Sequence, residues 1–155
     1  MTSEPTSSSF EFFPSDTLNR NLKQLKKTLK GSREQTAFLE LLAKVIEVVC
    51  SDPTKIRGHE VLKKLEPEPW PGKHKGNEHN LLWKAYFHLP WERGARREAR
   101  LLYIIHPLEE RITGLMLYTH AEYQGRPNDG YLQDVLKESG IPRSKPEDNP
   151  DPSTS

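Results

Sequence analysis

The sequence predicts an α+β domain, with an N-terminal helix hairpin packed on a small antiparallel sheet and a short C-terminal helix. Three observations predict it. Leu18, Leu22, Leu25 and Leu29 recur at helical spacing, and a second amphipathic stretch follows Gly31. From Leu81 onward the period changes to strict alternation, the pattern of strands with two unlike faces. The alternating runs are separated by short polar turns, which antiparallel neighbours use and parallel ones cannot.

Ser9–Phe13 (SFEFF) alternates weakly, is short and is stopped by Pro14, so it reads as an edge strand. The leucine stripe with lysines on its other faces is the first helix, and Gly31 is its stop. Ser32 followed by Gln35 has the spacing of a capping box and opens the second helix. Phe38, Leu41, Leu42, Val45, Ile46 and Val49 are its apolar stripe, which runs out near Asp52-Pro53. Arg57–Leu65 reads equally as a short helix or an extended piece, and Glu66–Asn80 as a loop rich in Pro, Gly and Asn. Leu81–Leu89 alternates Leu81, Trp83, Ala85, Phe87 and Leu89 against Leu82, Lys84, Tyr86 and His88. Arg97–His106 is the most apolar run and so the central strand, and Arg111–His120 is the last. Alternation places Ile112, Gly114, Met116, Tyr118 and His120 on one side of that last strand. Asn128–Ser139 reads as the C-terminal helix.

Composition limits what surrounds this domain. Only 34% of the 155 residues are apolar and 13 are Pro, so part of the chain has little to bury. Residues 1–9 and 140–155 fit that description and are expected to be disordered tails, the second acidic and Pro-rich, around a domain at 10–139. The net charge is +1, yet Glu138, Glu147, Asp148 and Asp151 outweigh Arg143 and Lys145 at the C-terminal end. The middle of the chain is therefore mildly basic, which suits a polyanion without requiring one. Cys50 is the single cysteine, which excludes an internal disulfide and a Cys-rich zinc site. His74, His79, His59 and His88 lack the tight spacing of zinc ligands, so no metal and no cofactor are expected. The chain shows neither a run long enough to span a membrane nor a signal-peptide plan, and a cytoplasmic protein is expected.

If helices cover one face of the sheet, polar side chains should gather on the other. Lys84, His88, Arg100, His120 and Tyr123 would then approach one shallow basic surface, with strand register deciding how closely. Such a set suits RNA cleavage. A base must take the 2′-hydroxyl proton, cations must meet the charge building on phosphorus, and an acid must protonate the leaving 5′-oxygen. Histidine works as acid or base near neutral pH, and Tyr can stack on a base. The loop GKHKGNEH adds Lys73 and Lys75 before the sheet.

The ordered motifs LLWKAYFHLP, ARLLYIIH and ITGLMLYTHAEY, following KKL at Lys63, resemble the RelE/ParE superfamily of bacterial toxins, and most closely its RelE-, YafQ- and HigB-like ribonuclease branches. Singly each motif is common in strands; their order and spacing over the middle three quarters of the chain carry the resemblance. It implies a RelE-like fold and a type II toxin that cleaves mRNA without metal, often on the ribosome, and is neutralised by a cognate antitoxin. It also implies roles: His120 for proton transfer, Arg100 at the scissile phosphate, and Tyr123 as the orienting or stacking aromatic. The resemblance also carries Lys84 as a basic strand position, and on the ribonuclease reading Lys73, Lys75, Lys84, His88 and Arg97 would contact the RNA. The modest basicity and the long Glu66–Asn80 loop depart from the pattern. They keep open a non-catalytic module of the same fold, either a ParE-like protein that binds a topoisomerase or an inactive partner-binding relative. A plain RNA-binding domain is a third reading.

Overall fold

A computed structural model describes residues 9–55, 61–72, 79–123 and 125–141. In chain order it contains β1 (Glu11–Pro14), α1 (Asp16–Lys27), α2 (Gly31–Ser51), β2 (Leu62–Pro67), β3 (Leu81–His88), β4 (Glu98–His106), β5 (Arg111–Thr119) and α3 (Asp129–Glu138). The strands form one sheet in the order β1-β5-β4-β3-β2. The helix pair, the strands β1, β3, β4 and β5 and the short last helix are those the sequence predicts. Most of the expected tails lies outside the described residues.

α1 is set by its cap. The Ser15 hydroxyl oxygen accepts from Leu18 N–H at 3.0 Å and its O–H donates to the Leu115 carbonyl at 2.7 Å. One side chain thus starts the helix and ties it to β5. Asp16 in the first turn and Lys26 and Lys27 in the last complement the helix dipole. The capping box expected from Ser32 and Gln35 does not form. α2 begins at Gly31, at φ +82°, with Lys30 as its cap residue. There the Glu34 carboxylate reaches back to accept from Lys30 N–H at 2.9 Å. Gln35 instead donates to the Lys26 carbonyl near the end of α1, so the tight connection recruits the side chain that would have closed the box.

The sheet is larger than the expected three-stranded meander and is not purely antiparallel. β1 lies at the edge as predicted, but it runs parallel to β5, pairing Glu11 with Arg111 through Pro14 with Gly114. A parallel neighbour needs a long crossover, and nearly the whole domain intervenes between these two strands. The ambiguous segment before the loop becomes β2, pairing Leu62–Pro67 with β3. Its first residues lie outside the described set, while Glu66 and Pro67, expected in a loop, extend the strand. Pro67 is tolerated because β2 is the opposite edge.

One irregularity changes the faces of β5. Leu102 pairs with Met116 but Tyr103 pairs with Gly114, so Leu115 is an extra, bulged residue. A two-for-one bulge shifts the alternation by one position. Ile112 therefore packs into the helix-side core, while Met116 and Tyr118 belong to the opposite core. Gly114 also faces the helices: a Cβ there would lie 2.4 Å from Phe12 Cζ and 2.6 Å from Leu18 Cδ2. The expectation that Ile112 and Gly114 share a side with Met116, Tyr118 and His120 is thus corrected.

Two apolar cores result. The larger, between the sheet and α1–α2, is built from Leu18, Phe38, Val45, Val49, Phe87, Leu101, Tyr103 and their neighbours. Trp91 joins it edge-on to Phe38, with ring centroids 6.1 Å apart. The smaller lies on the other face, where Leu132, Val135 and Leu136 of α3 cover Leu82, Leu102, Ile104 and Met116. Ile141 closes that layer after Gly140, its N–H donating to the Leu136 carbonyl at 2.9 Å. Among the described residues, α3 therefore covers the inner part of the second face and leaves its far end open. No described helix is long and apolar enough to cross a membrane.

Candidate functional site

Register decides the candidate site. Beyond the bulge, β3, β4 and β5 place their side chains on the α3 face in transverse rows. Lys84, Leu102 and Met116 form the row nearest α3, and Tyr86, Arg100 and Tyr118 the next. His88 stands opposite Glu98, and His120 N–H donates to the Glu98 carbonyl at 2.9 Å. The outermost row is therefore His88, Glu98 and His120. It lies at the open end of the face because α3 packs over the inner rows.

Arg100, at the centre of this grid, is only 7% exposed. Its guanidinium carbon lies 5.2 Å from the Tyr86 ring centroid and its Nη2 lies 3.5 Å from Glu98 Oε1. Nη1 is buried with no hydrogen-bond partner among the described residues. A buried guanidinium with an unused donor retains both charge and hydrogen-bonding capacity. The Nδ1 atoms of His88 and His120 are likewise buried without a partner. His88 is held below the ordinary histidine range by burial first, then by the nearby cations Arg97 and Lys63, with Glu98 opposing them.

Lys84 is held differently. It is 7% exposed, with Nζ 2.9 Å from Glu68 Oε1 and 3.9 Å from Glu66 Oε2. Burial presses its pKa down, but bonding to Tyr86 and Glu68 outweighs that and leaves it raised. Glu68 also binds Arg126 Nη1 at 2.9 Å, and Arg126 in turn binds Asp129 at the start of α3 at 3.1 Å. The Tyr86 hydroxyl donates to Glu66 Oε2 at 2.7 Å, and Lys64 pairs with Glu66 Oε1 at 2.9 Å. Lys84 therefore belongs to a paired network under α3, with its charge already compensated by two carboxylates.

The turn after β5 is built by its own residues. Glu122 Oε1 accepts from Thr119 N–H at 2.9 Å, and the Glu122 and Tyr123 N–H groups both donate to the Thr119 carbonyl. Tyr118 is buried, with burial first among the causes that push its hydroxyl up to about 12. Tyr123 is 37% exposed and stands edge-on to Tyr118, centroids 5.6 Å apart. The exposed ring of Tyr123 is thus braced by a buried one, next to His120 in the chain.

Of the residues expected from sequence, the structure gathers His120, Arg100, Tyr123 and His88 at one end of one face. Arg97 sits in the turn leading into β4 and is near enough to act on the His88 ring. Lys84 is on the same face but two rows inward. Lys73 and Lys75 lie outside the described residues. Sequence reasoning gave no role to Tyr86, Lys63, Glu68 and Arg126, and offered Glu98 only as one possible structural ion-pair partner of Arg100, a pair the structure contains. The alternation of β4 already makes Glu98 a same-face neighbour of Arg100, whereas Tyr86 becomes one only through the register of β3 against β4. Among the described residues, no three or more His, Cys, Asp or Glu side chains come together in a way that could hold a metal ion.

A second concavity, of about 380 Å³, opens on the helix side of the same sheet end. Asn21, Gln24, Glu92, Arg96 and Glu122 are among its polar walls.

No family model matches the chain, and no curated protein sequence matches it. Among solved structures, a doubly arginine-substituted variant of the E. coli toxin RelE in its free state is similar at 14% identity, with a TM-score of 0.34. The match covers 85% of this chain and 95% of that one. It is a distant likeness.

Proposed function

We propose that the chain is an mRNA endoribonuclease of the RelE/ParE toxin kind, acting by general acid–base cleavage of a phosphodiester. The observation that carries the reading is the placement of Arg100 one row behind His120 on the open end of the face. Arg100 has an unused buried donor, and the Nδ1 atom of His120 is buried with no hydrogen-bond partner among the described residues. A buried cation beside an imidazole is what phosphoryl chemistry needs: charge stabilisation at phosphorus and a proton carrier at one of the flanking oxygens. Tyr123 supplies an exposed, braced ring for stacking a base. Arg97, Lys73 and Lys75 supply further cations for the RNA backbone. The motif resemblance supports the same reading and adds its expected partners, a ribosome-bound mRNA and a neutralising antitoxin protein.

The test is cleavage of RNA by the purified chain, alone and with translating ribosomes. His120→Ala and Arg100→Ala are each expected to lower the rate by roughly 100-fold or more. Wild-type rates in both variants would remove these two residues from the mechanism.

The compensated charge of Lys84 favours one alternative, a non-catalytic module of the same fold. Expression in a bacterial host separates the two. Growth arrest with loss of mRNA supports the ribonuclease, growth arrest with DNA damage supports a topoisomerase-directed action, and unimpaired growth supports an inert binding module.

A further inference from the structure

The geometry points to His88 as a second proton-transfer group, working opposite His120 as the general base that takes the 2′-hydroxyl proton of a bound RNA strand. The inference rests on the ribonuclease reading above and adds to it a residue that the sequence places only among RNA contacts.

Three observations carry it. His88 and His120 flank Glu98 in one transverse row, His88 at the end of β3 and His120 one residue past the end of β5. With strands about 4.8 Å apart, their Cα atoms are separated by about 10 Å, and the alternation of β3 and β5, carried one residue past β5, puts both side chains on the same face. A phosphate seated over the middle strand would lie between the two rings, with Arg100 one row behind it.

The second observation is the state of the rings. The Nδ1 atoms of His88 and His120 are both buried with no hydrogen-bond partner among the described residues. His106 lies further along the same face of β4 and differs. Its Nδ1 meets Asn80 Oδ1 at 2.7 Å and its Nε2 meets Thr113 Oγ1 at 2.9 Å, so both of its nitrogens are spent on structure. The third observation is the surroundings of His88. Arg97 approaches from the turn before β4, Lys63 from β2 and Glu98 from β4. Burial and the two cations outweigh the carboxylate, so the ring is unprotonated near neutral pH, the form a base requires.

The step balances without a further reactant. His88 accepts the 2′-hydroxyl proton as the 2′-oxygen forms its bond to phosphorus. The bond from phosphorus to the 5′-oxygen breaks, and His120 delivers a proton to that oxygen. The products are a 2′,3′-cyclic phosphate and a 5′-hydroxyl end, and exchange with water returns both rings to their starting states.

The experiment uses an RNA oligonucleotide containing the linkage that the wild-type chain cuts. A second copy carries sulfur in place of the bridging 5′-oxygen, because a thiolate leaves without a proton. Single-turnover rates are measured for the full chain, His88→Gln and His120→Gln. His120→Gln should lose roughly 100- to 10,000-fold on the oxygen substrate and recover on the sulfur one. His88→Gln should lose a similar factor on both, with RNA affinity by fluorescence anisotropy changed less than threefold. A wild-type rate in His88→Gln, its recovery on sulfur, or an affinity loss as large as the rate loss would each overturn the assignment. If the Gln variant does not fold, the wild-type chain on the sulfur substrate still decides. Its rate should fall with acid along a limb below the ordinary histidine value of 6.5, and a flat profile there overturns the proposal. A wild-type chain that cuts neither RNA alone nor RNA on ribosomes defeats the ribonuclease reading itself, a separate outcome.

Discussion

At the scale of single residues, similar side chains on one face divide by their partners. Arg100 and Lys84 are equally buried basic residues, yet only Arg100 has a donor left over. Lys84 is balanced by Glu68 and Glu66, so its first role is to hold the loop before Gly72 and the start of α3 onto β3. Lys84→Met should lower stability in urea melts by less than the ~3–5 kcal/mol typical of breaking a buried pair, because Arg126 still serves Glu68. A stability loss near zero with abolished RNA binding would instead make Lys84 a ligand-contacting group. Gly114 is the other decisive residue. Gly114→Ala would push a methyl into Phe12 and Leu18, both packed in the larger core. It should cost ~1–3 kcal/mol, read as a lowered thermal midpoint. No motif in the sequence marks this glycine, since the need for it arises where β1, α1 and β5 converge.

At the scale of elements, Ser15 joins the first helix to the sheet through two hydrogen bonds of one hydroxyl. Ser15→Ala removes the cap and leaves the Leu115 carbonyl without that donor. A loss of about 1–2 kcal/mol is expected in chemical denaturation, while Ser15→Thr should retain most of the stability. Helices and strands were readable here because their periods are local properties: the leucine stripe, the alternation in β3 and the apolar run of β4 all fell where expected. β2 was not readable, because an edge strand beside a loop needs only one good face and its Pro67 argued against it. The bulge at Leu115 was also hidden, because every residue around it is apolar or small and either phase of the alternation fits.

At the scale of the whole molecule, acid stability should report the buried histidine. His106 lies below the ordinary range, chiefly through burial and then the Arg111 charge. It takes fewer protons folded than unfolded, so its contribution is present above the unfolded value of about 6.5 and is lost as the pH falls through its folded value. Urea midpoints should fall between pH 7.5 and pH 5, and less in His106→Asn; an identical fall in both would assign the acid sensitivity to other groups. Periodicity in the sequence was enough to set the helix pair, the three long strands and the faces of β3 and β4, and residue type was enough to nominate the candidates for chemistry. Only the tertiary structure decided that His88, Glu98 and His120 form one row, that Arg100 keeps a donor free while Lys84 does not, and that α3 shuts the inner half of the face. The physical reason is that periodicity is written within a segment of chain, whereas register, bulges and ion pairing are settled between segments, by how two cores on opposite faces of one sheet can be filled at once.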